Sequence, residues 1–312
     1  PAVLPAFGHA TAAPGDAAPG PSLTVLLWDS GSSGLDDPEV PWDIGDVRTR
    51  GDVHGYEQSG YRISYEHASG AATVYHPESE TLVFWVADPE AVPWYERGAP
   101  LRAALHHWAA AHGLHFVHAG AVGASGRGAL LVGASGSGKS TTALACLEAG
   151  MEYAGDDYVI LSGDETPRVH CLYSTAKLDA GSLERLPGLA GAVAQFGPDG
   201  EHKAVLDVYA HRPGVFRADL PVDAIVIPTV APREQPEIRR ATPAQALRAI
   251  APTTLLQLPG AAQARMTAMA RLVRGLPAFD LRVGTDVEAA ARAVEAICAD
   301  PTGAWHAAAG AG

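Results

Sequence analysis

One stretch constrains this chain more than any other: Gly133-Ala134-Ser135-Gly136-Ser137-Gly138-Lys139-Ser140, a complete G-x-x-x-x-G-K-[ST] motif that works only between a strand and a helix. Both neighbours can be read from the sequence. Gly128-Ala129-Leu130-Leu131-Val132 is a short apolar run bounded by glycines, which reads as a buried strand. Ser140 to Ala149 places Ala143, Leu144 and Leu147 at helical spacing and stops at Gly150, a natural helix terminator. The glycines let several backbone N–H groups converge on one phosphate, with the helix N-terminus behind it. Gly133, Ala134, Ser135, Gly136, Ser137 and Gly138, with Thr141 just beyond, then form the cradle of a nucleoside triphosphate. Lys139 reaches its β- and γ-phosphates, and Ser140 ligates Mg²⁺.

Such a loop does not by itself separate a kinase from an ATPase or a regulatory binder, so the carboxylates decide. Asp156 and Asp157 follow Lys139 by 17 and 18 residues and come before the apolar run Tyr158–Leu161, not at the end of one. Two adjacent carboxylates beside a metal triphosphate can divide the work, one holding Mg²⁺ and the other accepting a proton from an attacking hydroxyl. Their like charges oppose simultaneous ionisation unless a cation lies between them.

His118, the phosphate loop and Gly155-Asp156-Asp157 together resemble the catalytic domain of HPr kinase/phosphorylase, a bacterial protein-serine kinase. The resemblance is strong from about Leu101 to Val159 and weaker beyond. It implies a phosphoenolpyruvate-carboxykinase-like α/β fold, a mixed sheet with helices, using ATP and Mg²⁺. By the same resemblance His118, Asp156 and Asp157 form the proton-handling centre beside Lys139, the metal is held by Ser140, Asp156 and Asp157, and the chain forms a homo-oligomer. Thr141 stands where the family usually carries a glutamate that helps with the metal, and the family's docking signature is not recognisable between Gly188 and Asp223. The smaller HPr-kinase-like proteins of ribosomal-peptide biosynthesis are a better match, through Pro100-Leu101-Arg102, His118-Ala119 and Leu172-Tyr173-Ser174-Thr175-Ala176-Lys177-Leu178. Those associated with lasso peptides phosphorylate the C-terminal serine of the precursor, which implies a peptide substrate with an acceptor serine. A regulatory ATP binder, or a kinase of a small hydroxylated metabolite, is the alternative.

Composition bounds the remaining classes. The chain has 312 residues, 47% hydrophobic and 18% charged, enough for a large core. Its net charge of −13 argues against a nucleic-acid partner and favours a basic peptide. Cys146, Cys171 and Cys298 are scattered, as in a reduced, cytoplasmic protein. No run of 18 apolar residues is present, so no membrane span is expected.

The expected organisation is a flexible Pro/Ala/Gly-rich lead-in over 1–22, a small β-rich domain over 23–97 and a P-loop kinase domain over 98–312. Short strands are expected at Leu23–Trp28, Tyr61–Tyr65, Ala72–Tyr75 and Leu82–Val86, then a helix from Leu101 to Ala111 and one strand over His115–Val122. Strands near Val169–Tyr173, Lys203–Asp207, Ala224–Pro228 and Ala278–Val283 follow, with helices at Pro243–Ile250, Gly260–Val273 and Asp286–Ala299. Lys177 and Lys203 are candidates to neutralise a transferred phosphoryl group and read equally well as solvated strand-end lysines; Arg212 and Arg217 are weaker candidates for that role. His106, His107, His112, His115 and His118 offer no H-x₃-H pair on one helical face, so no zinc site is expected.

Overall fold

The computed structural model describes residues 3–10, 20–48, 51–163, 165–195, 203–257 and 262–303. In chain order the strands are β1 (Thr24–Asp29), β2 (Asp52–Val53), β3 (Arg62–Glu66), β4 (Ala71–His76), β5 (Thr81–Val86), β6 (His115–Val117), β7 (Gly120–Ala124), β8 (Arg127–Leu131) and β9 (Glu152–Gly155). They continue as β10 (Val159–Ser162), β11 (Arg168–Cys171), β12 (Thr175–Leu178), β13 (Val193–Gln195), β14 (Ala204–Asp207), β15 (Asp219–Pro221), β16 (Ala224–Val230), β17 (Glu237–Ala241) and β18 (Ala278–Val283). The chain is a mixed α/β protein with four sheets among these residues.

The largest sheet, ordered β17-β18-β16-β8-β7-β9, is parallel through β8, β16 and β18 and antiparallel at both edges. Alternation along β8 decides how it is covered. Ala129 and Leu131 face the helices Lys139–Glu148 and Val287–Ala299, while Leu130 and Val132 face Pro243–Gln257 and Ala262–Gly275. With both faces buried, β8 is a nearly continuous apolar run, as expected of a parallel strand between helical layers. The loop Gly133–Gly138 leaves its C-terminal end, the end at which open α/β sheets bind ligands.

A second sheet, β15-β11-β10-β6, stands beside the first, and here the single strand expected over His115–Val122 is corrected. Val117 pairs with Val159 in the second sheet, whereas Ala121 pairs with Gly155 in the first. The chain changes sheet at His118-Ala119, and the β9–β10 connection changes sheet beside it at Asp156-Asp157-Tyr158. A run of small and apolar residues carries no mark of such a switch, because each half is buried on both faces.

Strands β12, β14 and β13 form a small third sheet, and the N-terminal five form β1-β5-β4-β3-β2. The helix Arg102–Ala111 lies on the face of the N-terminal sheet that carries Tyr75 and Leu82, with Leu101 and Ala104 in the shared core. The expected flexible lead-in is also corrected for residues 3–10. Leu4–Ala10 is a 3₁₀ helix with Ala6 fully buried, and Ser174 fastens it through its N–H to the Ala6 carbonyl (2.7 Å) and its hydroxyl to the Pro5 carbonyl (2.9 Å). Alanine and proline supply little side chain to bury, so composition hides an attachment made through backbone carbonyls. Residues 11–19 of that lead-in, and Gly260 at the start of the expected helix Gly260–Val273, lie outside the described residues.

Among the described residues no helix is long and apolar enough to cross a membrane. Cys146, Cys171 and Cys298 are free thiols.

Candidate active site

The phosphate loop, the two sheet-switching segments and the end of β12 meet at one cleft of about 540 Å³. Ser135, Gly136, Gly138, Lys139, Ser140 and Thr141 line it from the loop, and His118, Asp157, Tyr158 and Lys177 face them. Gly138 caps the helix Lys139–Glu148 at φ 99°, and a Cβ there would stand 3.2 Å from Val283 Cγ2. Both facts require glycine: the backbone is left-handed, and the loop presses on the ends of β16 and β18. Gly138→Ala is expected to weaken nucleotide affinity by about tenfold or more, since strain of ~1–3 kcal/mol falls on the cradle itself. Titration with a fluorescent nucleotide measures this, and an unchanged affinity would mean that the loop is not the cradle.

Lys139 is buried and folds back over the loop, donating to the carbonyls of Gly133 (2.8 Å) and Ala134 (3.1 Å). Burial lowers its pKa, while Asp156 and Asp157 pull the other way. The ammonium is thus held where its carboxylate neighbours and an incoming anion both favour its charge.

The two aspartates sit in opposite environments although they are adjacent. Asp157 opens to the cleft, accepting from Lys177 Nζ at Oδ2 and from His118 Nε2 at Oδ1, both at 3.0 Å. Burial would raise its pKa, but Lys177 and then His118 hold the carboxyl well below the usual carboxylate range. Its φ of 70°, with Tyr158 N–H donating to the Asp156 carbonyl (2.9 Å), makes it the centre of a strained three-residue turn. That turn aims the carboxylate into the cleft. Asp156 points inward, 1% exposed, and neither of its carboxylate oxygens has a hydrogen-bond partner. Burial, then the charge of Asp157, pushes its pKa up, against smaller pulls from Ser140 and Lys139.

His118 is positioned by its backbone N–H, which donates to Thr254 Oγ1 (3.2 Å), and by its ring, which stacks on Tyr158 with centroids 5.3 Å apart. Its Nδ1 is buried without a partner, so the tautomer carrying hydrogen on Nε2 fits the bond to Asp157. Tyr158 in turn donates to Gln257 Oε1, and burial, then Asp157, pushes its hydroxyl up to about 12. Arg102, ion-paired with Glu96, lies 5.5 Å from the Tyr158 ring centroid.

The residues present fit a metal-bound triphosphate. A buried carboxylate with two unpartnered oxygens close to Ser140 is a costly arrangement that a divalent cation would relieve. No group of three or more His, Cys, Asp or Glu side chains able to hold a metal occurs among the described residues. The rest of a magnesium shell would therefore come from phosphate oxygens and water, as is usual for that ion.

Of the residues singled out in the sequence, the loop, His118, Asp156 and Asp157 come together here. Thr141 lines the cleft, but its hydroxyl donates to Ser182 Oγ (2.9 Å), which donates in turn to Asp179. Lys177 is in the cleft as an ion-pair partner, and Lys203 lines the same wall. Arg212 and Arg217 pair with Glu148 and Glu152 and do not line the cleft. The segment Leu172–Leu178 knits the site together: Tyr173 Oη donates to the Pro100 carbonyl (2.7 Å), Thr175 Oγ1 to the Gly98 carbonyl (2.5 Å), and Lys177 to Asp157. Tyr158 and Gln257 carried no sequence signal, since each matters only through its tertiary neighbours.

No protein-family model matches the chain, and no curated protein does. The solved structure of the Hpr(Ser) kinase/phosphatase from Coxiella burnetii is similar over 55% of this chain and 85% of its own, at 13% identity and a TM-score of 0.29. The functional reading accordingly rests on the geometry of the cleft.

Proposed function

We propose that this chain is an ATP- and Mg²⁺-dependent kinase that transfers the γ-phosphoryl group to a serine hydroxyl of a peptide, the C-terminal serine of a lasso precursor peptide. The observation that carries the kinase reading is Asp157, a carboxylate held ionised by Lys177 and His118 across the cleft from the phosphate loop. An ATPase needs only to position water. A carboxylate presented between a histidine and a lysine in an open cleft suits the orientation of a larger hydroxyl nucleophile. The serine peptide and the lasso precursor come from the sequence resemblance.

Loop N–H groups and Lys139 would hold the β- and γ-phosphates, and Ser140 and Asp156 would hold the magnesium. The bound ion would draw charge from the phosphates and set them in line. Asp157 accepts a hydrogen bond from the acceptor hydroxyl. Because its pKa lies so low, it takes the proton only once the new oxygen–phosphorus bond is well advanced, which suits a loose transition state. Lys177, bound to the same carboxylate, lies where it can meet charge on the transferred group. His118 fixes the direction of Asp157 and shields it from Tyr158.

The test is purified protein with γ-labelled ATP, Mg²⁺ and serine-containing peptides, read by mass shift and peptide fragmentation. An increment of one phosphate on a serine is expected. Lys139→Ala is expected to lower the rate by about 10²- to 10³-fold, the range for losing one preorganised charge partner of the transition state. Nucleotide binding without label on any peptide would overturn the reading.

A further inference from the structure

A second, smaller cavity of about 100 Å³ opens beside the cleft and shares two walls with it, Arg102 and Gln257. It lies between the N-terminal sheet and the start of the helix Arg102–Ala111. Phe84, Val92 and Leu101 supply apolar wall, and Glu66 and Glu96 supply carboxylates. Glu96 is neutralised by its ion pair with Arg102, whereas Glu66 has no cationic partner among the described residues, its Oε1 accepting from Tyr95 Oη (3.5 Å) and the Ala68 N–H (3.1 Å). The cavity thus combines apolar wall with a carboxylate that no described cation pairs.

Its position relative to Asp157 is set by a short series of contacts. Arg102 lies 5.5 Å from the Tyr158 ring centroid, that ring 5.3 Å from His118, and His118 Nε2 3.0 Å from Asp157. No more than about four extended residues cover that path. Cavity and cleft adjoin at Arg102 and Gln257, so an acceptor chain whose hydroxyl sits at Asp157 can present a neighbouring side chain to this cavity across those two residues.

We propose that the cavity is a specificity subsite for a basic side chain of the acceptor peptide, lysine or arginine, within four residues of the phosphorylated hydroxyl. The alkyl stem lies against Phe84, Val92 and Leu101, and the cationic head meets Glu66. Long basic side chains bury their stems against apolar groups while the charge keeps a polar partner, and this lining offers both. The chain's net charge of −13 draws the same class of peptide. This assignment rests on the kinase reading and makes the N-terminal sheet part of substrate selection.

The experiment uses the full chain with ATP, Mg²⁺ and a library of peptides ending in serine, carrying lysine, norleucine or glutamate at each of the four positions before that serine. At one position lysine is expected to exceed norleucine by about tenfold in kcat/KM, the value of one charge-assisted contact of ~1.4 kcal/mol. Glu66→Gln is expected to bring the lysine-to-norleucine ratio close to one, and Glu66→Lys to shift the preference to glutamate. Folding of both variants is checked through unchanged nucleotide affinity. Preference for norleucine, which would make the cavity an apolar pocket, or for glutamate in the unaltered protein, which would give the charge to Arg102, overturns the subsite. So does a lysine preference that survives Glu66→Gln. Those three results leave the kinase reading intact, whereas no transfer to any library member overturns both.

Discussion

Asp157→Asn is expected to lower phosphoryl transfer by about 10³- to 10⁴-fold while nucleotide affinity changes little. Asparagine keeps the shape and one acceptor oxygen, but it cannot take the proton and presents an amide where Lys177 and His118 expect charge. Single-turnover kinetics with excess enzyme, alongside nucleotide titration, separate the two effects. Retention of the wild-type rate would remove Asp157 from the chemistry. The same substitution is expected to lower thermal stability, and the sign follows from linkage. Asp157 has a folded pKa well below its unfolded value of about 3.9. Its contribution is therefore present above that unfolded value and lost as pH falls through the folded one. At neutral pH the whole contribution is in place, so removing the charge removes it and leaves Lys177 unpaired.

What could be read from the sequence follows the range of the physics involved. The phosphate loop was legible because its requirements are local: glycine at left-handed Gly138, an apolar strand before it and a helix after it. The aspartate pair was legible from its spacing to the loop. Their opposite environments were not, because these depend on Lys177 from β12 and His118 from the β6–β7 switch, and strand pairing brings these together across the sheet junction. Lys177 looked as much like a solvated lysine as a site residue, and only the strand pairing that sets it against Asp157 shows that it is not a solvated one. Thr141 sits in the right place, but its hydroxyl belongs to the network of Ser182 and Asp179. The attachment of residues 3–10 was hidden because it uses backbone carbonyls and isolated side chains, Val3, Ala6 and Phe7, set among Pro and Ala with no strand or helix period.

Asp156→Asn is expected to do what Asp157→Asn does to activity and the reverse to stability. The Asp156 carboxylate is 1% exposed, with both oxygens unpartnered, and burial followed by the charge of Asp157 raises its pKa. A carboxyl with a raised folded pKa binds its proton in the folded state first, so stability falls as pH rises from the unfolded value to the folded one. Above that window the ligand-free protein carries the full cost of an ionised, unsolvated group. Asparagine is still a buried polar group, but it removes the larger cost of burying a charge, and is expected to raise Tm by about 2 °C or more at neutral pH. It also removes the anionic ligand opposite Ser140, and transfer is expected to fall by about 10³-fold, with loss of the Mg²⁺-dependent part of nucleotide binding. Thermal unfolding with and without Mg²⁺-nucleotide reads both effects. The wild type is expected to gain stability from magnesium beyond that from nucleotide alone, and the variant to start higher and gain nothing from the metal. A variant that loses stability, or still responds to magnesium, would show that Asp156 is a structural carboxylate and that the metal is held elsewhere. The opposite stability signs expected at two adjacent aspartates follow from one fact: the strained turn at Asp157 sends its carboxylate out to Lys177 and His118 and leaves that of Asp156 buried.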